Sequence, residues 1–212
     1  MKKFIKDFCL AILAGVMIGI GGVVFLSIEN PVIGSVLFAT GLLTILAFKL
    51  NLFTGKAPYM CQNNLKYCGF VGLVWLGNFI GTGLTALLIR STKIYDKIIT
   101  RCAAIAVAKV EDTLISLFIL GVLCGILMYI AVDTYNKQSQ DKNFSATVLT
   151  IFCVSVFILS GFEHSVADMF YFMLVLPITQ WFIPLVVISI GNILGGNAFC
   201  LINKIISEKG SS

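Results

Sequence analysis

Long stretches without a single charge constrain this chain more than any other feature. Phe8–Ile28, Tyr67–Ile89 and Thr113–Val132 contain no Asp, Glu, Lys or Arg, and each approaches the length of about 20 residues that crosses a bilayer as a helix. A fourth run, Ile33–Phe48, is short at 16 residues. A fifth begins near Phe144, is apolar to Phe162 and then meets Glu163, His164 and Asp168; a sixth extends from Trp181 to about Ile206 after a break at Pro177. Charged residues make up 12% of the chain, against roughly 25% in soluble domains. Too few polar groups remain to coat a water-soluble surface. A soluble enzyme, a nucleic-acid binder and a disordered chain are thereby excluded, and the lipid bilayer is the expected solvent.

Backbone groups in hydrocarbon must be bonded within their own segment, so the runs predict helices. The expectation is an all-α membrane protein with six transmembrane helices in one domain over 1–212. Residues 90–111 mix apolar and basic positions and read as an interfacial helix, while Asp133–Asn143 reads as a polar loop. The first run has no evident cleavage site and counts as a span rather than a removed signal. Ten Lys and Arg residues fall on one side of this layout and five, between Arg90 and Lys109, on the other. The excess places both termini in the cytoplasm of a cell whose inner membrane the chain crosses.

An internal repeat points to function. Gly15-Val16-x-x-Gly19 matches Gly121-Val122-x-x-Gly125, and Gly77-Asn78-x-x-Gly81 matches Gly191-Asn192-x-x-Gly195, at separations of 106 and 114 residues. Repeat one covers about 8–89 and repeat two about 113–206. Three spans per repeat is an odd number, so the repeats are inverted, and such proteins carry their pathway where broken helices meet. The second span is expected to break at Gly55 and Pro58, and the fifth at Ser160-Gly161-Phe162-Glu163-His164-Ser165.

His164 is the only histidine. Ionisable groups at membrane depth are costly and tend to be functional, which singles out His164 with its neighbours Glu163 and Asp168. Lys109 ends an apolar run, where a lysine snorkelling at the mouth of the fourth span is the bland alternative to a functional one. Seven cysteines are scattered without a C-x-x-C pair, so neither a disulfide framework nor a metal cluster is expected, and one histidine cannot provide a bis-histidine haem anchor. No cofactor is implied.

Gly161-Phe162-Glu163-His164-Ser165-Val166-Ala167-Asp168-Met169 resembles the fifth-span signature of the formate/nitrite transporter family, G-F-E-H-S-x-A-N-M. Leu52-Phe53-Thr54-Gly55 is similar to that family's L-F-T-[GS] loop, and Gly191-Asn192-x-x-Gly195-Gly196 to its sixth span. The resemblance implies an aquaporin-like six-helix protomer in a homopentamer, each protomer with its own pathway for small monovalent anions. It makes His164 the central pore histidine, Thr54 its hydroxyl partner and Lys109 a vestibule lysine. Phe38 with Phe157, and Leu42 with Leu52, become two apolar constrictions. Asn51, Lys56, Asp168, Gly125 and Lys49 depart from the family pattern.

A bare anion in a dry constriction costs tens of kcal/mol. Neutralising an acid of pKa near 4 at pH 7 costs only about 4 kcal/mol. The expected function is therefore transport of weak-acid anions of the formate, nitrite, hydrosulfide, lactate or acetate class, crossing as neutral acids with a proton supplied at or through His164. A water or small-solute channel would need two Asn-Pro-Ala caps, and only Asn30-Pro31-Val32 comes near. An intramembrane thiol oxidase lacks its cysteine pairs, and a serine protease lacks the glycine two before Ser160, where Ile158 stands. A structural scaffold would leave the His-Glu pair unexplained.

Overall fold

The charge-free runs become helices. The structure, a computed structural model, describes residues 1–137 and 143–209, and its described elements are all helical. They are α1 (Lys2–Ser27), α2 (Pro31–Ala47), α3 (Phe53–Lys56), α4 (Leu65–Arg90), α5 (Ile94–Val110), α6 (Leu114–Lys137), α7 (Asn143–Leu159), α8 (Ser165–Val175) and α9 (Ile178–Lys209), with a 3-10 turn at Ala57–Gln62. Four of them, α1, α4, α6 and α9, are long and apolar enough to cross a membrane. Many large apolar side chains, Leu13, Leu87, Ile119 and Phe152 among them, face outward. In a bilayer that surface carries no penalty.

Two long pairs, α1 with α4 and α6 with α9, have extensive contacts. Small residues let these helices approach closely, as membrane helices do without a hydrophobic drive between them. A Cβ on Gly15 would collide with the backbone of Asn78, and one on Gly125 with the backbone of Asn192. Gly81 meets the Ile12 carbonyl and Gly195 that of Val122 in the same manner. These contacts equate Gly15 with Gly125. The shared Gly-Val-x-x-Gly string had paired it with Gly121, one helical turn away.

Both interruptions use one turn. After α2, the Leu50 N–H donates to the Ile45 carbonyl (2.9 Å) and the Lys49 N–H to that of Leu46 (3.2 Å). After α7, the Phe162 N–H donates to the Phe157 carbonyl (2.9 Å) and the Gly161 N–H to that of Ile158 (3.3 Å). This is the Schellman closure, which needs a left-handed residue; Gly161 has φ 70° and Lys49 φ 53°. The first break thus precedes the expected Gly55 and Pro58. Gly55 lies within α3 against the side chain of Val132, and Pro58 is the second residue of the 3-10 turn, where its missing N–H is harmless.

The expected polar loop at Asp133–Asn143 is shorter than its composition implied. Helix α6 continues to Lys137, whose ammonium pairs with Asp133 one turn back at 2.8 Å. Residues 138–142, with Lys142 of the charge count, lie outside the described residues, as do Gly210, Ser211 and Ser212. Helix α9 begins at Ile178, before Trp181, and contains Pro184. In the 90–111 connection, α5 buries Ile98, Cys102 and Ala106 and packs mainly on α8.

Candidate functional site

An interrupted helix exposes backbone groups that hydrocarbon cannot satisfy. Two asparagines resolve this. Asn78 of α4 accepts from the Phe53 N–H at the start of α3 (2.7 Å) and donates to the carbonyls of Asn51 (2.9 Å) and Ala11 (2.7 Å). Asn192 of α9 accepts from the Ser165 N–H at the start of α8 (2.9 Å) and donates to the carbonyls of Glu163 and Gly121, both at 2.8 Å. Both amides are fully buried. The two Gly-Asn strings of the sequence are therefore clamps on the non-helical segments, a role that spacing alone did not disclose.

Held this way, His164 caps α8. Its Nδ1 accepts from the Ala167 N–H at 3.1 Å, and its Nε2 lies 2.9 Å from Thr54 Oγ1 on α3. A backbone N–H only donates, so Nδ1 is the acceptor and the ring proton of neutral imidazole is on Nε2, directed at Thr54. The ring stacks on Phe157 (centroids 5.3 Å), which meets Phe38 edge-on at 6.1 Å. His164, Thr54, Phe38, Leu42, Leu52 and Phe157 are all buried.

Two cavities flank these residues. One, of about 520 Å³, is lined by Leu42 and Leu52 together with Lys49, Lys56 and Tyr135. The other, of about 380 Å³, is lined by Phe157 and His164 together with Lys109, Asp112, Glu163 and Asp168. The His164–Thr54 bond joins the elements that line the two.

Lys109 does not snorkel. Its ammonium is held by the Glu163 carboxylate and lies 3.0 Å from Asp168 Oδ1. Both acids are buried, and Asp168 Oδ2 has no hydrogen-bond partner. Asp112, at the mouth of α6, accepts from the Thr113 N–H and the Ser116 hydroxyl. Two arginines went unnoticed in the sequence because each looked like one more charge of the 90–111 connection. Arg101 donates to the Phe25 (3.1 Å) and Ile28 carbonyls while lying over the Phe25 ring. Arg90 donates to the Met173 (2.7 Å) and Leu174 (3.0 Å) carbonyls near the end of α8. Asn30, in the string weighed as a water-channel cap, instead caps α2 at the protein edge, accepting from Val32 and Ile33. Among the described residues, no three His, Cys, Asp or Glu side chains group as metal ligands.

Known proteins share this fold. The formate/nitrite transporter family model matches residues 1–205. An uncharacterized transporter of Bacillus subtilis, YwcJ, is 30% identical over 75% of this chain and 69% of its own. The formate channel FocA of Escherichia coli is 29% identical, and the nitrite transporter NirC of Salmonella typhimurium 27% identical, each over 80% of this chain and 66% of its own. The chain thus spans about two thirds of the length of these relatives. Among solved structures, an FNT family ion channel superposes with a TM-score of 0.83 at 21% identity, over 96% of this chain and 90% of its own. A pentameric formate channel with formate bound superposes at 0.79 and 23% identity, over 98% of both chains.

Proposed function

The chain belongs to the formate/nitrite transporter family, and on that premise we propose that it is a membrane pathway for small monovalent weak-acid anions that cross as their neutral acids. The observation that carries this reading is the buried His164–Thr54 pair, packed among Phe38, Phe157, Leu42 and Leu52, with a cavity of about 520 Å³ on one side and about 380 Å³ on the other. A small anion in the first cavity meets Leu42 and Leu52 before the His164–Thr54 pair, and one in the second meets Phe157 beside His164 itself. The Nε2–H of His164 is the donor available to it there. Thr54 holds that donor in place until the anion takes its turn.

The architecture proposed with this function is one transmembrane domain of two inverted triplets, about 8–89 and 113–206, joined by an interfacial helix. The matched clamps of Asn78 and Asn192 support it, as do the matched turns at Lys49 and Gly161. Both termini belong in the cytoplasm of an inner-membrane protein by the basic excess on that side. A homopentamer is proposed by likeness to the pentameric formate channel. The relatives are named as channels and transporters, and no covalent step enters the reading.

Proteoliposomes test it. Formate, nitrite, acetate, lactate and hydrosulfide gradients should each drive uptake that alkalinises the exterior, faster at lower external pH. Stopped-flow light scattering should show water permeability no higher than in empty vesicles. Fast water flow without acid flux would establish the water-channel alternative instead.

A further inference from the structure

The second cavity contains more acid than its lysine can neutralise. Lys109 contributes one positive charge and contacts two carboxylates, Glu163 and Asp168; both acids are buried and the lysine side chain is 14% exposed. With both acids ionised the cluster carries a net negative charge in an apolar cavity; one added proton makes it neutral. Two carboxylates sharing a buried site retain a proton for this reason. The Asp168 and Glu163 carboxylates contact the same Lys109 ammonium, and among the described residues nothing donates to Asp168 Oδ2. An oxygen in that position is either destabilised as an acceptor without a donor or bears the proton itself.

His164 is badly placed to carry that proton. Its Nε2 already bears one, and its Nδ1 lone pair is taken by the Ala167 N–H. A second ring proton would have to displace the cap of α8. The other groups around the cluster do not balance it either. Arg90 of α4 lies on the Met173 and Leu174 carbonyls, at the opposite end of α8 from Asp168, and Arg101 of α5 on those of Phe25 and Ile28; among the described residues neither pairs with the two acids. Asp112 adds negative charge to the same cavity, and Tyr171, which also lines it, brings no positive charge.

We propose that Asp168 holds one exchangeable proton beside Glu163 and Lys109 and is the acid that neutralises the anion in this cavity. This rests on the transport reading above and specifies its proton donor. In the step, the carboxyl O–H bond breaks and a new O–H bond forms on an oxygen of the anion, with the electron pair remaining on the cluster. A hydronium ion from the cavity water then restores the carboxyl and leaves water behind. Asp168 is where the family signature has Asn, so the device is particular to chains with this residue.

The test is pH-difference infrared spectroscopy of the reconstituted full chain, paired with formate uptake over a series of external pH values. Wild type should show the carbonyl stretch of a protonated carboxyl, shifted in heavy water. Asp168→Asn, which restores the family residue, should lose that band, as should Glu163→Gln, while His164→Asn should keep it. Formate uptake by Asp168→Asn should lose most of its dependence on external pH. Absence of the band in wild type, its persistence in either acid variant, or an unchanged pH profile in Asp168→Asn overturns the proposal. A band that behaves as expected in a protein that moves no weak acid leaves the proton site standing and removes the transport reading.

Discussion

Residues 45–56 and 157–168 are built on one frame and filled with opposite charges. In each, a Schellman turn closes a helix, a short extended stretch follows, and a buried asparagine clamps the next helix start: Asn78 for the first, Asn192 for the second. The carbonyl of Asn51 occupies the place of that of Glu163, and the N–H of Phe53 the place of that of Ser165. Position by position, Lys49 then stands where Gly161 stands, and Lys56 where Asp168 stands. The cavity beside the first segment is lined by two lysines and no acid, and that beside the second by one lysine and three acids. Backbone needs dictate the frame, and those needs are the same wherever a helix breaks in lipid. Side chains facing the cavities are free of that demand and can diverge.

The largest expected effects fall on the frame. Asn78→Leu and Asn192→Leu each orphan one N–H and two carbonyls, and each should lower stability by about 3 kcal/mol or more in denaturant titrations of the detergent-solubilised protein. A loss confined to one of them would break the equivalence of the segments. Next comes the centre: His164→Asn removes the donor aimed at the anion and should slow formate uptake about a hundredfold, the scale of losing one preorganised donor. Uptake within a factor of two of wild type would take the imidazole out of the pathway.

Smaller effects sharpen the contrast between the fillings. A left-handed lysine costs about 1 kcal/mol, so Lys49→Gly should stabilise the protein by that amount, and Gly161→Ala should destabilise it comparably, in the same titrations. Lys56→Met should raise the half-saturating formate concentration about fivefold, equivalent to about 1 kcal/mol, with the difference shrinking as salt is added. Equal capture by wild type and variant at low salt would deny the lysine cavity a role in attracting anions. Least of all, Lys137→Ala removes an exposed pair with Asp133 and should change stability by about 0.5 kcal/mol or less.

Charge-free length located α1, α4, α6 and α9 in the sequence, because a bilayer demands it. Helix ends were harder to read. Asp133 and Lys137 look like loop residues, yet they pair along a helix that continues past the apolar run. The first break was assigned to Gly55 and Pro58 because those residues break helices, whereas the chain turns at Lys49, a residue with no such signature. Glu163, His164 and Asp168 drew notice as rare charges in an apolar stretch. That Lys109 is held between two of them was not legible, since it depends on how α5 folds back over α8, 54 residues away in sequence from Glu163. The roles of Asn78 and Asn192 required knowing which backbone groups lay bare.

The glycine contacts limit how such a molecule can move. Gly15, Gly81, Gly125 and Gly195 seat helix backbone directly on helix backbone, with no side chain between to act as a bearing. Interfaces of that kind resist sliding and rolling, so the two long pairs behave as fixed posts. On the proposed pathway, passage of a molecule a few atoms wide would then fall to the rings and methyls around His164, swinging by a rotamer while the posts stay still.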